Sequence, residues 1–280
     1  MQIFNSIQDE HLEQLISLAF EEDLFSGDIA TEAIMAQEEY KVATLTAKAD
    51  GIISGLKIAE RIIAYLGEAE FTPLVEDGDE VKKGEDILKI RARYDHLLKS
   101  ERIMLNFLQR MSGIATATNR LVKLIGHTNA KLLDTRKTVP GHRLTDKMAV
   151  RHGGGTNHRM GLYDMAMLKD NHIKAAGGIT PAVQQVRKVT PISIRIEVET
   201  STLEQVLEAV EAGADVIMLD NMDTASMKEA VAIINGRAKT EASGNINEGT
   251  IAAVAETGVD YISVGSLTHS VRALDISMNF

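Results

Sequence analysis

The second half of the chain alternates short apolar segments with amphipathic ones. Six segments have the composition of strands: "AKLLDT", "MAMLKD", "ISIRIEVET", "DVIMLDN", "AKTEASG" and "DYISVGS". Three segments between the later strands have helical periodicity: "TLEQVLEAVEAGA", "TASMKEAVAIIN" and "NEGTIAAVAETG". Repeated strand–helix units form parallel sheets. Six strands instead of eight predict an incomplete (β/α) barrel. An open doubly wound sheet is the alternative, but "DTRKTVPGHR" stands where that fold has a Gly-rich turn.

The residues before this repeat have a different organisation. A helical stripe runs through "SIQDEHLEQLISLAFEEDL", short strands and turns follow, and "HLLKSERIMLNFLQRMSGIATATNRLVKLI" is helical with a break predicted at Ser112-Gly113. The sequence therefore predicts an α/β fold with two domains. An N-terminal α/β sandwich covers residues 1–112 and the barrel covers 113–269. The tail, residues 270–280, is predicted to pack back on the first domain.

The stretch "VEDGDEVKKGEDILKIRA" suggests a second interpretation of the first domain. Swinging-arm carrier domains also place a Gly-Asp-x-Val-x-x-Gly turn between short strands, and they present a modified lysine in a hairpin soon afterwards. The residues that follow here are "RARYDHLL", without a lysine in a tight turn. A small β-sandwich corner is therefore the favoured interpretation.

The charge of the chain is unevenly distributed. The net charge is −10, yet residues 131–174 hold nine Lys or Arg against four Asp or Glu, with four of the eight His. The acidic total and the 4% aromatic content argue against binding to nucleic acid or to anionic membranes. The basic segment predicts a pocket for a small anion, with a solvated basic face as the alternative.

The sequence has no Cys, no long apolar stretch and no signal pattern, and these absences limit its redox chemistry and its compartment. The absence of Cys excludes disulfides, thiolate nucleophiles and Cys-ligated zinc. No stretch approaches ~20 uninterrupted apolar residues, the length that spans a bilayer. The N-terminus "MQIFNSIQDEHLEQ" has no basic-then-apolar signal pattern. We therefore expect a cytoplasmic protein.

Charged residues alternate with apolar ones along two of the predicted strands. Arg195, Glu197 and Glu199 share one face of "ISIRIEVET", while Lys239 and Glu241 share a face of "AKTEASG". In a barrel such a face points into the lumen. Because buried charges need partners, we expect Arg195, Glu197, Lys239 and Glu241 to pair across the lumen.

The strand ends divide one mouth into three chemical sectors, because barrel active sites form at the carboxyl ends of the strands. The first two strands end in cations, the middle two in carboxylates and the last two in Gly/Ser turns. Gly/Ser turns that enter helices favour phosphate, and paired carboxylates can hold Mg²⁺, act in acid–base catalysis or form structural pairs. Arg and Lys recognise carboxylates. A phosphate site, a carboxylate pair that can hold Mg²⁺, and a group of cations that binds carboxylates therefore lie in one mouth. Together they suggest the joining of an acidic acceptor to a phosphorylated sugar.

Several long motifs resemble one family over essentially the whole chain. They are "SGDIATEAI", "SERIMLNFLQRMSGIAT", "DTRKTVPGHR", "KMAVRHGGGTNHRMGLYD", "LKDNHI", "IEVET", "VIMLDN" and "EASGNI". In these segments the chain resembles the quinolinate phosphoribosyltransferases. The resemblance implies transfer of the phosphoribosyl group of phosphoribosyl pyrophosphate to the ring nitrogen of quinolinate with decarboxylation, Mg²⁺ as the cofactor, and a homodimer or a multiple of dimers.

The resemblance also implies roles for individual residues. The carboxylates of quinolinate are assigned to Arg136, Lys137, His158, Arg159 and Lys169. Mg²⁺ and the ribose are assigned to Glu199 and Asp220, and these two with Lys169 form the catalytic set. The 5′-phosphate is assigned to Ser243, Gly244, Gly265 and Ser266. The predicted substrate-binding set is completed by Thr135, Asn245, Val264 and, from the neighbouring subunit, Arg102. Many members have a second glycine where this chain has Asn245.

Two rival functions remain beside this one. The first is a related pyrophosphorylase with a different acceptor, like the molybdenum-associated relatives. As a group those relatives are depleted in the lysine of "LKDNH", so the presence of Lys169 in this chain argues against this function. The second is a non-enzymatic regulator that binds a phosphosugar. It would need the phosphate-binding turns, but it would not need both the carboxylate pair and the cations that hold a dianion.

Overall fold

The computed structural model describes residues 2–34 and 39–280. The helices are α1 (Gln2–Leu24), α2 (Ile29–Ile34), α3 (Leu56–Leu66), α4 (Tyr94–Ile125), α5 (Arg143–His152), α6 (Asp170–Ala176), α7 (Ile179–Val189), α8 (Leu203–Glu211), α9 (Thr224–Ile234), α10 (Ile251–Ala255) and α11 (Ser266–His269). The strands are β1 (Tyr40–Ala47), β2 (Gly51–Ile52), β3 (Ala69–Pro73), β4 (Glu80–Val81), β5 (Asp86–Arg93), β6 (Lys131–Leu133), β7 (Ala166–Leu168), β8 (Ile196–Thr200), β9 (Val216–Asp220), β10 (Lys239–Ser243), β11 (Tyr261–Ser263) and β12 (Ile276–Asn279).

The first of two compact units comprises Met1–Ala117, Val139–Gly154 and Ser270–Phe280. Its main sheet has the strand order β12-β1-β5-β3, with antiparallel neighbours throughout. The apolar residues of β5 alternate with polar ones, so that Leu88 and Ile90 are buried in one core with Ile62 and Ile63 of the amphipathic helix α3. This antiparallel sheet with helices packed into the same core confirms the predicted α/β sandwich.

The predicted helix break at Ser112-Gly113 is wrong, because α4 continues through both residues. Ser112 is fully buried, and its Oγ accepts a hydrogen bond from the Ser54 amide at 3.0 Å. A Cβ at position 113 would overlap the carbonyl oxygen of Arg272. Ser and Gly therefore serve close packing against distant segments of the same unit, a requirement that local helix propensity does not reveal.

The second unit comprises Thr118–Thr138 and Gly155–His269. Its six strands are parallel, in the order β6-β11-β10-β9-β8-β7. The two edge strands, β6 and β7, are not paired with each other in the described part of the chain. Thr156 forms an isolated parallel bridge to Leu133 and extends the sheet beyond β6 by one residue. The prediction of an incomplete barrel with six strands is confirmed.

Helices α8, α9 and α10 follow strands of this sheet, as their periodicity predicts. Thr202 and Asp223 cap α8 and α9, because their side chains accept hydrogen bonds from the amides of Gln205 and Ser226. The sheet is parallel, so all six strands end at the same edge. No helix in the described residues is long and apolar enough to cross a membrane.

Candidate active site

Polar residues follow the strands of the second unit along one edge of the sheet. Asp220 is paired in register with Ser243 on the next strand, and Glu199 lies one strand away, at the end of β8. Lys169 follows β7, the neighbour of β8. The three chemical sectors predicted from the sequence therefore share this edge.

The cationic sector is built around Arg159. Its Nη1 donates to the carbonyl oxygen of Met165 at 2.9 Å, and Nη2 lies 3.5 Å from Met167 Sδ. Burial and the nearby charge of Arg136 lower the pKa of the Arg159 guanidinium. Two partly buried guanidinium groups whose charges oppose each other favour a bound anion that interacts with both.

Lys137 connects this sector to the last turn of the barrel. Its amide donates to Thr135 Oγ1 at 3.1 Å, and its carbonyl accepts from Thr268 Oγ1 at 2.8 Å. A Cβ at Gly265 would lie only 3.0 Å from Cδ of Lys137. Glycine therefore allows the lysine stem to pass against the turn that enters α11, where Ser266 is exposed and Val264 is buried.

The cationic and acidic sectors meet at Lys169 and Glu199. Lys169 Nζ lies 2.5 Å from Glu199 Oε2, and the lysine side chain is half exposed. Asp220 Oδ2 accepts from the Asn221 amide group at 2.7 Å. Within the described part of the chain, the remaining oxygens, Glu199 Oε1 and Asp220 Oδ1, accept no hydrogen bond. An oxygen donor set of this kind, with substrate oxygens and water, fits Mg²⁺.

The turn after β10 has a left-handed backbone conformation at Gly244 and Asn245, which few other residue types adopt readily. Gly244 has φ 95°, and a Cβ there would overlap Asn221 Oδ1. Asn245 also has a positive φ, 53°, which Asn tolerates better than most residues. Its Nδ2 donates to Asn221 Oδ1 at 3.1 Å. Asn245 therefore closes the turn through its side chain.

Beneath the strand ends, three residues form what we call the floor cluster: His158, Glu197 and Glu241. Nε2 of His158 lies 3.2 Å from Glu197 Oε2 and 3.3 Å from Glu241 Oε2. Both carboxylates are buried, and the histidine side chain is 6% exposed. Among the described residues, both oxygens of Glu197 and Oε1 of Glu241 receive no hydrogen bond.

The expected pairing of Arg195 and Lys239 with these carboxylates is wrong. Arg195 is exposed, and Lys239 is exposed and bonded to Asp260 at 2.6 Å. Both lie near the amino ends of their strands. Their side chains are long enough to reach solvent there, which costs less than burial of a charge. The partner of the two carboxylates in the lumen is a histidine from a loop.

The protonation of the floor cluster follows from His158. Burial acts to lower the pKa of its ring, but the adjacent carboxylates of Glu197 and Glu241 outweigh burial and raise the pKa to about 10. Burial, reinforced by Glu241 and opposed by His158, raises the pKa of Glu197 to about 7. Nδ1 of His158, however, accepts from the Arg159 amide at 2.7 Å. A proton on Nδ1 would break that bond, so the geometry favours a neutral ring protonated on Nε2.

The floor cluster has the donor types of a metal site, and its ligand atoms lie within 4.8 Å of one another. A metal bound to Nε2 would require the ring proton on Nδ1. That nitrogen faces the Arg159 N–H. The geometry therefore assigns Nε2 as a hydrogen-bond donor to Glu241 Oε2. The same contacts place both ring nitrogens against protein atoms, so His158 supports its neighbours in this arrangement instead of presenting a free nitrogen to a ligand.

Sequence reasoning missed several residues that shape this edge. Asp134 is fully buried, and it accepts from the His158 amide at 2.8 Å and from Asn157 Nδ2 at 2.7 Å. Its position at the end of the first strand was visible, but its partners follow 23 and 24 residues later. Asn221 likewise supports the Gly/Ser turn after β10, because its side-chain oxygen accepts from Asn245 Nδ2. Arg102 belongs to the first unit, where it is exposed on α4.

Comparisons with known proteins point to the same family over nearly all of the chain. The family model described as Quinolinate phosphoribosyl transferase, C-terminal domain, matches residues 114–279, and the corresponding N-terminal domain matches residues 28–112. The chain is 45% identical to quinolinate phosphoribosyltransferase (decarboxylating) 2, mitochondrial, of Nicotiana glauca, over 95% of this chain and 81% of that protein. It is 44% identical to a probable nicotinate-nucleotide pyrophosphorylase (carboxylating) of Bacillus subtilis, over 96% of this chain and 93% of that protein.

A solved structure extends the agreement to the fold. The nicotinate-nucleotide pyrophosphorylase from Francisella tularensis superposes with a TM-score of 0.93 at 40% sequence identity. The match covers 96% of each chain. Both domains of the family are thus present in order, on a fold shared with a solved member. The chain belongs to the quinolinate phosphoribosyltransferase family.

Proposed function

We propose that the chain is a pentosyltransferase that joins quinolinate to the ribose of phosphoribosyl pyrophosphate and releases pyrophosphate and CO₂, in the biosynthesis of NAD. The observation that carries this proposal is the meeting of a cationic sector and an acidic sector at Lys169 and Glu199. Quinolinate is a dianion, whereas the ribose carbon gains positive charge during transfer. One site must therefore present both signs of charge a short distance apart.

The proposed reaction has two stages, transfer of the phosphoribosyl group and then decarboxylation. The pyridine nitrogen attacks C1 of the ribose while the bond from C1 to the pyrophosphate oxygen breaks, and pyrophosphate leaves with that electron pair. The ring nitrogen is then a quaternary cation. The bond from C2 to its carboxylate breaks, CO₂ departs, and the electron pair stays on C2 beside the cationic nitrogen. A proton then adds to C2 and gives nicotinate mononucleotide.

The residues of this chain have separate tasks in that sequence. Arg136, Lys137, Arg159 and Lys169 hold the carboxylates of quinolinate, with His158 and Thr135 as supports. Glu199 and Asp220 stabilise the positive charge that develops at the ribose. The turns at 243–245 and 264–266 hold the 5′-phosphate with backbone N–H groups. Lys169 or a water molecule supplies the proton to C2.

Mg²⁺ is part of this proposal. Its oxygen donors would be Glu199 and Asp220, and it would supply positive charge beside the departing pyrophosphate. The carboxylates alone would hold it weakly, because Mg²⁺ keeps several waters and takes further oxygens from the substrate phosphates.

The assembly and the compartment are also proposed. A homodimer, or a multiple of dimers, would bring the exposed Arg102 of one subunit to the mouth of its neighbour and add a third forked cation to the clamp. The cytoplasm is the proposed compartment, although the relative from Nicotiana glauca is named as mitochondrial.

The direct test is an assay of the purified protein with quinolinate, phosphoribosyl pyrophosphate and Mg²⁺. We expect pyrophosphate, CO₂ and nicotinate mononucleotide in equal amounts. Nicotinate in place of quinolinate is the control, since it lacks the second carboxylate. Release of pyrophosphate without CO₂ would assign a different acceptor to the site, and no turnover by folded protein would contradict the enzyme.

A further inference from the structure

The floor cluster lies directly under the proposed quinolinate site. Glu197 precedes Glu199 by two residues on β8, and Glu241 precedes Ser243 by two residues on β10. Side chains two residues apart on a strand point to the same face, so the carboxylates face the lumen about 7 Å below the strand ends. His158 stands between them and is followed in the chain by Arg159.

Stability alone is a weak explanation for the floor cluster. Two carboxylates are buried beside one ring nitrogen, and three of their four oxygens receive no hydrogen bond from the described residues. Apolar side chains of similar volume generally stabilise such a position as well or better. A cluster of this kind is therefore more readily explained by what it orients than by the stability that it adds.

We propose that Glu197 and Glu241 are positioning residues for quinolinate, which act through His158 on Arg159. Glu241 Oε2 accepts the proton on His158 Nε2, with Glu197 Oε2 3.2 Å from the same nitrogen, which leaves Nδ1 to accept the Arg159 amide and so fixes the backbone that carries the Arg159 guanidinium. This inference rests on the proposed function, because it takes Arg159 to be a ligand of the quinolinate carboxylates.

A continuous series of hydrogen bonds links His158 to the guanidinium group of Arg159. The Arg159 amide donates to His158 Nδ1 at 2.7 Å, and the His158 amide donates to Asp134 Oδ1 at 2.8 Å. At the far end of the arginine, Nη1 donates to the carbonyl oxygen of Met165. If the ring were released from the carboxylates it could turn, and the Arg159 amide would lose its acceptor. Bidentate binding depends on the orientation of the guanidinium plane, so a small rotation weakens it.

Four proteins separate positioning from a merely structural role. Glu241→Leu removes the acceptor of the Nε2 proton, and we expect the KM for quinolinate to rise ~5- to 10-fold while that for phosphoribosyl pyrophosphate changes less than ~2-fold. Glu241→Gln retains an acceptor oxygen and should stay within ~3-fold of the unaltered protein in both constants. In the Arg159→Ala background, Glu241→Leu should add less than ~2-fold to the KM for quinolinate, since its effect passes through Arg159.

Asp146→Asn is the matched control, because Asp146 is a buried carboxylate of the first unit that is bonded to Arg110. We expect it to lower thermal stability without a selective effect on the KM for quinolinate. Effects of Glu241→Leu and Arg159→Ala that multiply would overturn the proposal. So would an equal rise in the KM of both substrates.

A spectroscopic measurement keeps the inference testable if Glu241→Leu does not fold. ¹⁵N-histidine labelling of the unaltered protein, with His158→Asn to assign the signal, should give a neutral ring protonated on Nε2 and not on Nδ1. An imidazolium, or a ring protonated on Nδ1, would overturn the proposal. A protein with this ring state but without phosphoribosyl transfer would refute the proposed function and leave the hydrogen-bond arrangement intact.

Discussion

Lys169 Nζ lies 2.5 Å from Glu199 Oε2, where two neighbouring strands of the second unit end. The contact joins a cation of the proposed quinolinate clamp to a carboxylate of the proposed ribose sector. Both side chains are therefore held at the edge of the mouth before any substrate arrives. Binding of a dianion would compete with Glu199 for the lysine, which would free that carboxylate for the sugar or for Mg²⁺.

Lys169→Ala should affect both sectors at once. We expect the KM for quinolinate to rise at least ~10-fold and kcat to fall at least ~10-fold, because a charged contact is lost and Glu199 loses its partner. Steady-state kinetics with each substrate varied in turn measure both constants. Lys174→Ala, in the last turn of the short helix α6 that Lys169 precedes, is the control and should stay near the unaltered values. An unchanged KM in Lys169→Ala would remove this lysine from the clamp.

Replacement of the carboxylates should give the opposite kinetic signature. Glu199→Gln and Asp220→Asn are each expected to lower kcat by at least ~10²-fold, with less than ~3-fold change in quinolinate binding, because their charge acts on the transition state. The Mg²⁺ concentration needed for half-maximal rate should rise as well. Glu211→Gln, at the exposed end of α8, is the matched control. Full turnover in both variants would place the metal and the ribose elsewhere.

Sharing of sites between subunits can be tested by complementation. Arg102→Ala and Lys169→Ala should each be nearly inactive alone. An equal mixture that exchanges subunits should recover about one quarter of the unaltered activity, since half the dimers are mixed and each mixed dimer has one intact site. Native mass spectrometry confirms the exchange. No recovery in a mixture with confirmed heterodimers would show that Arg102 acts within its own subunit, or not at all.

The first unit should lose stability in mild acid through His152. Burial lowers the pKa of this ring, although Asp77 opposes the shift, and Nδ1 lies 2.8 Å from Ser54 Oγ. A folded-state pKa below the unfolded value of ~6.5 means that the stabilising contribution is present above that pH and is lost as the pH falls below it.

Urea denaturation at pH 7.5 and pH 5.5 measures this effect. We expect the fall in the free energy of unfolding to be smaller in His152→Gln than in the unaltered protein. Part of the fall should remain, because burial also lowers the pKa of His142. His127→Gln, at an exposed position, should leave the fall unchanged. An equal fall in His152→Gln and the unaltered protein would contradict the assignment.

The barrel and its mouth could be predicted from the sequence because both depend on local patterns. Apolar alternation with a period of two identified the strands, and their polar ends had to meet once the sheet was known to be parallel. Glu199 and Asp220 could thus be placed at one edge from their spacing alone. The Gly/Ser turns followed from residue types that only certain backbones require.

The remaining features depend on contacts between residues far apart in the chain. Helix α4 passes through Ser112-Gly113 because segments from Ser54 and Arg272 pack against it, and no local pattern reveals those neighbours. The partner of Glu197 and Glu241 is a loop histidine, whereas alternation along the strands suggested Arg195 and Lys239. Long side chains near a strand end can reach solvent, and a buried imidazole cannot, which is the physical reason that the pairing differs.

We propose that one mouth neutralises a doubly negative pyridine ring while it stabilises a sugar cation. The most direct measurement is a single-turnover reaction of the purified protein with quinolinate labelled at the 2-carboxylate, phosphoribosyl pyrophosphate and Mg²⁺. We expect one labelled CO₂ and one pyrophosphate for each nicotinate mononucleotide formed. Folded protein that binds both substrates and releases neither product would contradict the proposal.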